Sequence, residues 1–194
     1  MVAAGNLPPR SGHLDIKVLK GVSDASSAFT DDGQVVIGFL PGAFDVTGRT
    51  SISVDIQPVS PCPNPLDLHF ATNTYSITAT APLVKDSNLL LRFSDRVPAP
   101  SDVYFATSLQ GPWKSLGAAQ QAQPFTIDTT TRQFGYFAAG YPANATRPSS
   151  TSSQLLPIAV AILIVAVLIA GIPLAILRRR RADEADRPDE EDES

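Results

Sequence analysis

The chain has 194 residues, with 15 basic and 19 acidic side chains and a formal net charge of −4. Residues 1–154 carry a net charge of −1 and residues 178–194 one of −3, so neither part is basic enough to follow the phosphates of a nucleic acid. All four glutamates lie in residues 178–194. Because Glu favours helices and is depleted in strands, the Thr-, Ser- and Val-rich remainder favours β structure.

The beginning of the chain lacks the pattern of a signal peptide. It has no basic start and no apolar run of sufficient length, although Val2-Ala3-Ala4 resembles the small-x-small end of one. We expect Met1 to lie inside a longer precursor or close to a mature N-terminus.

Short alternating segments follow, separated by turn residues. Ile52, Val54 and Ile56 alternate with polar residues, as Tyr75 and Ile77 do, which is the period of a half-buried strand. Signals such as Asp-Asp-Gly and Pro-Gly separate the segments. This pattern predicts an all-β fold, a single antiparallel β-sandwich over residues 1–141. The eight predicted strands are 13–19, 34–40, 51–57, 74–81, 88–93, 102–109, 125–128 and 132–140.

The residues that carry chemistry are few. His13 and His69 are the only histidines, which excludes a zinc site of several histidines, and no nucleophile elbow, phosphate loop or His-Glu-x-x-His motif occurs. We expect both histidines to be ordinary residues on a sheet face. We therefore predict no enzyme activity, no catalytic residues and no cofactor.

Two groups of residues leave alternatives open. Four loop aspartates could converge on Ca²⁺, or they could serve only in turns; they are Asp24, Asp31, Asp32 and Asp95. Late aromatic residues could line a sugar- or peptide-binding face, or they could pack in the core, as we expect for Trp113. The candidate ligand face consists of Tyr104, Trp113, Tyr136 and Tyr141, with Phe137 nearby in sequence.

Cys62 is the only cysteine of the chain. An intramolecular disulfide is therefore excluded, and the thiol either stays reduced or links two chains.

Residues 142–154 change in character. They are small and polar, contain proline, and have no apolar face to bury, which predicts a flexible stalk. Asn144-Ala145-Thr146 within it is a glycosylation sequon, which in a bacterial cell would be a chance tripeptide.

An apolar segment comes next, at residues 155–177, without a charged side chain. About 20 such residues match a hydrocarbon core of about 30 Å, so the segment predicts one C-terminal transmembrane α-helix. Pro157 falls in its first turn, where the missing N–H costs nothing.

Four arginines follow the span, whereas Arg147 is the nearest basic residue before it. Because cytoplasmic flanks carry the excess of Lys and Arg, this asymmetry predicts a cytoplasmic C-terminus and an external N-terminal domain. The four orienting residues are Arg178, Arg179, Arg180 and Arg181. A tail-anchored protein with a cytosolic domain would need the opposite asymmetry. The acidic remainder of 178–194 predicts a solvated end of the anchor or, alternatively, a docking site for a cytoplasmic partner.

Two stretches resemble known β-sandwich modules. "VVIGFLPGAFDVTGRTSISVDI" is similar to the strand, Pro-Gly-Ala turn and strand in modules of ankyrins, netrin receptors and bacterial envelope proteins, although Leu40 stands where that pattern often has a proline. "GPWKSLG" and "FTIDTTTRQFGYFAAG" resemble the end of bacterial surface sandwiches. The resemblance implies a structural or interaction module without catalytic residues. Its matching positions are Val35, Ile37, Pro41, Gly42, Ala43, Phe44, Ile52 and Val54, then Trp113, Leu116, Ile127, Asp128, Phe134, Gly135 and Phe137.

These features together predict a single-pass protein of the cell membrane. Its external domain would serve adhesion, binding or envelope scaffolding, with the lipid bilayer and an envelope protein or glycan as partners. The alternative is a transmembrane sensor or regulatory subunit whose acidic tail recruits a cytoplasmic partner.

Overall fold

The structure is a computed structural model that describes residues 5–118 and 123–145. The predicted span at 155–177, the orienting arginines, the acidic tail and most of the predicted stalk lie outside these residues. Within the described ranges, no helix has the length and apolar character needed to cross a membrane.

The described residues form twelve β-strands in two antiparallel sheets. The larger sheet has the order β10-β9-β12-β7-β5-β1-β2, with β6 also paired to β12, and the smaller has the order β11-β8-β4-β3. The bounds are β1 Gly12–Leu19, β2 Val22–Ser23, β3 Ser26–Phe29, β4 Val35–Phe39, β5 Ser51–Pro58, β6 Leu68–Phe70, β7 Tyr75–Ala79, β8 Ser87–Arg92, β9 Asp102–Ala106, β10 Lys114–Ser115, β11 Thr126–Thr131 and β12 Gly135–Pro142.

The prediction of an all-β fold is confirmed, and two sheets of this kind are consistent with a β-sandwich. Each of the eight predicted strands overlaps one observed strand: β1, β4, β5, β7, β8, β9, β11 or β12. The sequence pattern missed β2, β3, β6 and β10, which have only two to four residues each. Strands of that length are too short to show a period of two.

One hydrophobic core lies between the sheets. In β5, Ile52, Val54 and Ile56 are completely buried while their neighbours face outward, as the alternation predicted. Phe105 and Phe137 meet there with ring centroids 5.2 Å apart. Both sheets contribute to this core; its largest completely buried side chains are Tyr75, Phe137, Ile16, Ile37, Ile52, Ile56, Ile77, Leu89 and Leu91.

Strand register defines the two ends of the domain. Gly135 in β12 lies opposite Ile77, which is opposite Ile56, which is opposite Gly12 in β1. From this common level β12 runs toward Pro142 and β1 runs in the opposite direction, toward Leu19. At about 3.3 Å per residue, the path along the strands from the β1–β2 turn to the point where β12 ends is roughly 46 Å.

Candidate functional site

The outer face of the larger sheet holds part of the predicted ligand face. Tyr136 and Ala138 alternate with Phe137 of the core, and Tyr104 is the cross-strand neighbour of Ala138. Tyr104 and Tyr136 therefore lie on the outer face. Alternation along β12 places Tyr141 on the opposite face of the larger sheet. There the ring centroids of Tyr141 and His69 are 5.7 Å apart.

Phe70 joins two of the predicted aromatic residues. Its ring centroid lies 4.9 Å from that of Trp113, edge to face, and 6.3 Å from that of Tyr104. Tyr104 is only 5% exposed, and burial raises the pKa of its hydroxyl. Trp113 is half-buried against Phe70 and is not part of the core, so the expectation that Trp113 packs in the core was wrong. The binding of a sugar or peptide at this face stays a prediction.

A charged cluster occupies the same outer face on β1 and β5. The ring Nδ1 of His13 lies 2.7 Å from an oxygen of Asp55, its cross-strand neighbour, and Nε2 lies 3.5 Å from Asp15. The hydroxyl of Ser53 donates a hydrogen bond to Asp15. Both histidines lie on strands and are exposed, as expected for residues on a sheet face.

Hydrogen bonding within this cluster favours the charged forms. The Asp55 carboxylate, and after it that of Asp15, raises the pKa of His13 above its ordinary value of 6.5. The Ser53 hydroxyl, and after it His13, lowers the pKa of Asp15. Because the Ser53 hydroxyl bonds to Asp15 and not to the imidazole, these residues are not arranged as a nucleophile and its base.

A second polar group, partly buried, lies near the end of the domain where β12 ends. We call it the polar clasp, and define it as the side chains of Asn6, Asp32, Gln34 and Asn73 with the carbonyl of Leu7. Gln34 Nε2 donates to Leu7 O and to Asp32, at 3.0 Å each. Asn73 Nδ2 donates to Gln34 Oε1 at 2.9 Å and to Leu7 O at 3.2 Å. The clasp thus ties the N-terminal segment to both sheets.

The clasp continues into a bulge between β6 and β7. Asn6 Nδ2 donates to the carbonyl of Ala71 at 2.8 Å, and the Ala139 N–H of β12 donates to the hydroxyl of Thr72 at 2.8 Å. These bonds pair polar groups that would otherwise be costly to bury. All four residues of the bulge are buried: Ala71, Thr72, Asn73 and Thr74.

The loop aspartates follow the turn interpretation where their bonds are defined. Asp32 accepts the hydroxyl of Thr30 at 2.6 Å and the N–H of Gln34 at 2.9 Å, in the turn that joins β3 to β4. Asp24 accepts the N–H of Ala25 at 3.0 Å. Within residues 5–118 and 123–145 no group of three His, Cys, Asp or Glu side chains is placed to hold a metal ion.

The surface also has open grooves. A groove of about 440 Å³ lies between the β9–β10 edge and the β11–β12 hairpin, where Lys114 and Arg132 are among its lining residues. Arg132 Nε donates to Asp86 at 2.7 Å, so this cation is already paired. The groove is open and mixed in polarity, and it has no convergent polar groups of the kind that orient a small ligand.

The opposite end of the domain from Pro142 carries exposed aliphatic side chains. We call this surface the apolar tip, and define it as Leu19, Val22, Leu40 and Val84. Their exposed fractions are 58%, 47%, 60% and 52%, respectively. Sequence reasoning missed this surface. Of its turns, only Pro41-Gly42 was predicted from the sequence, as an ordinary turn signal, and the proximity of the other turns depends on the fold.

No family model matches the chain, and no curated protein is significantly similar to it.

Proposed function

We propose that this protein is a single-pass membrane protein that displays a non-catalytic β-sandwich outside the cell for adhesion, binding or scaffolding. The observation that carries the proposal is the uncharged stretch 155–177, which is followed directly by four arginines. A run of that length and composition is suited to a bilayer, and the arginines favour the cytoplasmic side.

The described domain supports a binding role. The buried side chains of Gln34 and Asn73 are hydrogen-bonded within the fold. The ligand candidates lie on outward surfaces: the aromatic face around Trp113, the His13 cluster and the apolar tip. The carboxylates of the His13 cluster engage the imidazole, and no hydroxyl nucleophile is bonded to it among the described residues. These features are typical of a presented module and give no arrangement for covalent catalysis.

Extraction with alkaline carbonate tests the anchor. Full-length protein in cell membranes should remain in the pellet, because an inserted helix is not released when peripheral contacts are broken. A chain that ends at Gln154 should move to the supernatant and keep the circular dichroism of a β protein. Retention of the truncated chain, or release of the full-length chain, would contradict the proposed anchor.

A deletion of residues 182–194 separates a simple anchor end from a docking tail. It keeps all four orienting arginines. If the tail is only solvated, the shortened protein should fractionate and orient as the full chain does. Loss of a crosslinked cytoplasmic protein on deletion would instead favour the sensor alternative.

A further inference from the structure

The apolar tip is built from three turns whose backbones are joined by hydrogen bonds. Leu19 and Val22 are cross-strand neighbours in the β1–β2 hairpin. The N–H of Gly42 donates to Ser23 O at 2.9 Å, and Val22 Cγ1 lies 3.5 Å from where a side chain on Gly42 would begin, so the Leu40–Gly42 turn packs beside that hairpin.

The third turn contains Val84 and Lys85 and is bonded to the second. The N–H of Val84 donates to Ala43 O at 2.8 Å. Lys85 Nζ donates to Pro41 O at 2.7 Å and lies beside Gly42. The four aliphatic side chains therefore project from neighbouring backbone segments.

These side chains contribute little to the fold. None belongs to the buried core, although Phe39 and Ala43 next to Leu40 and Gly42 do. Exposed aliphatic groups that cluster on one surface, unlike single ones, mark a site of contact with a partner.

The composition of the tip identifies the kind of surface. It consists of Leu and Val residues, and the exposed Lys20 and Lys85 flank it. Lysine is depleted in protein interfaces, whereas a lipid headgroup layer attracts it. Lys85 donates one bond to Pro41 O and keeps donors for a phosphate.

We propose that the apolar tip inserts its four aliphatic side chains into the interface of a lipid bilayer, with Lys20 and Lys85 at the level of the headgroups. Nearby acids reduce the attraction of anionic lipid: Asp24 and Asp45 lie on adjoining turns, although Asp86 is paired with Arg132. Insertion of the aliphatic groups therefore provides most of the binding, and the lysines add a modest preference for anionic lipid.

This inference extends the proposed function by naming a partner surface, and it rests on that function for the location of the anchor. The tip lies at the opposite end of the described domain from Ala145, the last described residue of the predicted stalk 142–154.

Vesicle binding tests the inference with the full chain. The protein is reconstituted in phosphatidylcholine nanodiscs and mixed with vesicles of phosphatidylcholine, with or without phosphatidylserine, and bound protein is measured by sedimentation. We expect binding to both kinds of vesicle, stronger to those with phosphatidylserine. The double variant Leu19→Ser, Leu40→Ser should weaken binding about tenfold or more, because it removes two inserted side chains.

The chain offers a matched control. Leu7 and Leu66 are 60% and 99% exposed but lie outside the tip, so Leu7→Ser, Leu66→Ser removes the same groups elsewhere. Binding by this control should equal that of the wild type. The variant Lys20→Gln, Lys85→Gln should retain binding to pure phosphatidylcholine and lose the preference for phosphatidylserine, about fivefold for each lysine.

Several outcomes would overturn the inference: no sedimentation of the wild type with either vesicle, equal losses in the tip and control variants, or nanodiscs that associate through the tip without vesicles, which would make a second copy the partner. Failure of the anchor is distinguishable. A chain that does not insert into nanodiscs contradicts the proposed function, and its direct sedimentation with vesicles still tests the tip.

Discussion

The two ends of the domain use side chains in opposite ways. At the end near Pro142, the polar clasp turns Gln34 and Asn73 inward, 3% and 1% exposed, and satisfies them with hydrogen bonds. At the other end, the apolar tip turns Leu19 and Leu40 outward, 58% and 60% exposed. Buried polar groups and exposed apolar groups both cost free energy unless something compensates them. The clasp is compensated within the fold, and the tip is left for a partner.

The largest loss of stability should come from a methyl group added to Gly12, where two backbone segments approach closely beside the clasp. A Cβ on Gly12 would collide with the carbonyl of Phe29, where β1 passes the end of β3. We expect Gly12→Ala to lower the free energy of unfolding by about 1–3 kcal/mol or more, measured by urea denaturation.

Gly38→Ala is the control for that substitution. Gly38 also lies in a strand, but its added Cβ would meet Ser27 Oγ at 3.6 Å and the Asn88 carbonyl at 4.0 Å, both ordinary contacts. We expect a change close to zero or a small gain in stability. Equal losses at Gly12 and Gly38 would mean that the close approach of β1 to β3 is not as described.

Removal of a clasp side chain should have the next largest effect. Asn73→Ala leaves the buried Oε1 of Gln34 without the donor seen here. We expect a loss of about 1–3 kcal/mol in the free energy of unfolding, because a buried acceptor loses its bond. Asn88→Ala, at an exposed strand position, should change stability by less than about 0.5 kcal/mol. If the two variants were equally stable, the clasp would not hold the fold together.

At the tip the effect on stability should be small. Leu19→Ser with Leu40→Ser removes only exposed groups, so the free energy of unfolding should change by less than about 0.5 kcal/mol per site, as measured by the same denaturation. A loss as large as that of Asn73→Ala would show that the tip serves the fold, and it would remove the contrast between the two ends.

The smallest effect is the dependence of stability on pH through His13. Because the folded protein raises the pKa of His13, the stability that its protonated ring contributes is present in full below the ordinary value of 6.5 and is lost as pH rises through the folded-state pKa. An NMR titration of the His13 ring should give a pKa above 6.5. Asp55→Asn should lower that pKa, because it removes the principal hydrogen bond, and Asp45→Asn should leave it unchanged. A pKa that does not respond to Asp55→Asn would contradict the pairing.

The fold was predictable where strands are long and one face is buried. Ile52, Val54 and Ile56 revealed β5 because local alternation is set by the pleat alone. β9 was harder, since Tyr104 on its outer face is also buried, covered by Phe70 from the unpredicted strand β6. The bulge before β7 was not predictable, because four polar and small residues are buried there only through contacts with other strands.

The candidate sites depend on pairings that are distant in sequence. His13 and Asp55 are 42 residues apart, and Asn73 and Leu7 are 66 apart. Without the register of β1 against β5, neither the His13 cluster nor the clasp follows from residue types. The tip shares this property: the Pro41-Gly42 turn was predicted, but its packing beside Val22 and Val84 arises only when the two sheets close at that end.

Orientation in the membrane is the central claim, and the single native thiol allows a direct test. Cys62 lies half-buried in the loop between β5 and β6. Intact cells are treated with a membrane-impermeant maleimide, with a denatured, detergent-solubilised sample as the control for reactivity. A Cys62→Ser, Ser194→Cys variant places the thiol at the end of the chain. We predict that Cys62 is labelled in intact cells and that Cys62→Ser, Ser194→Cys is labelled only after permeabilisation. Labelling with the reverse pattern would place the β domain in the cytosol and contradict the account.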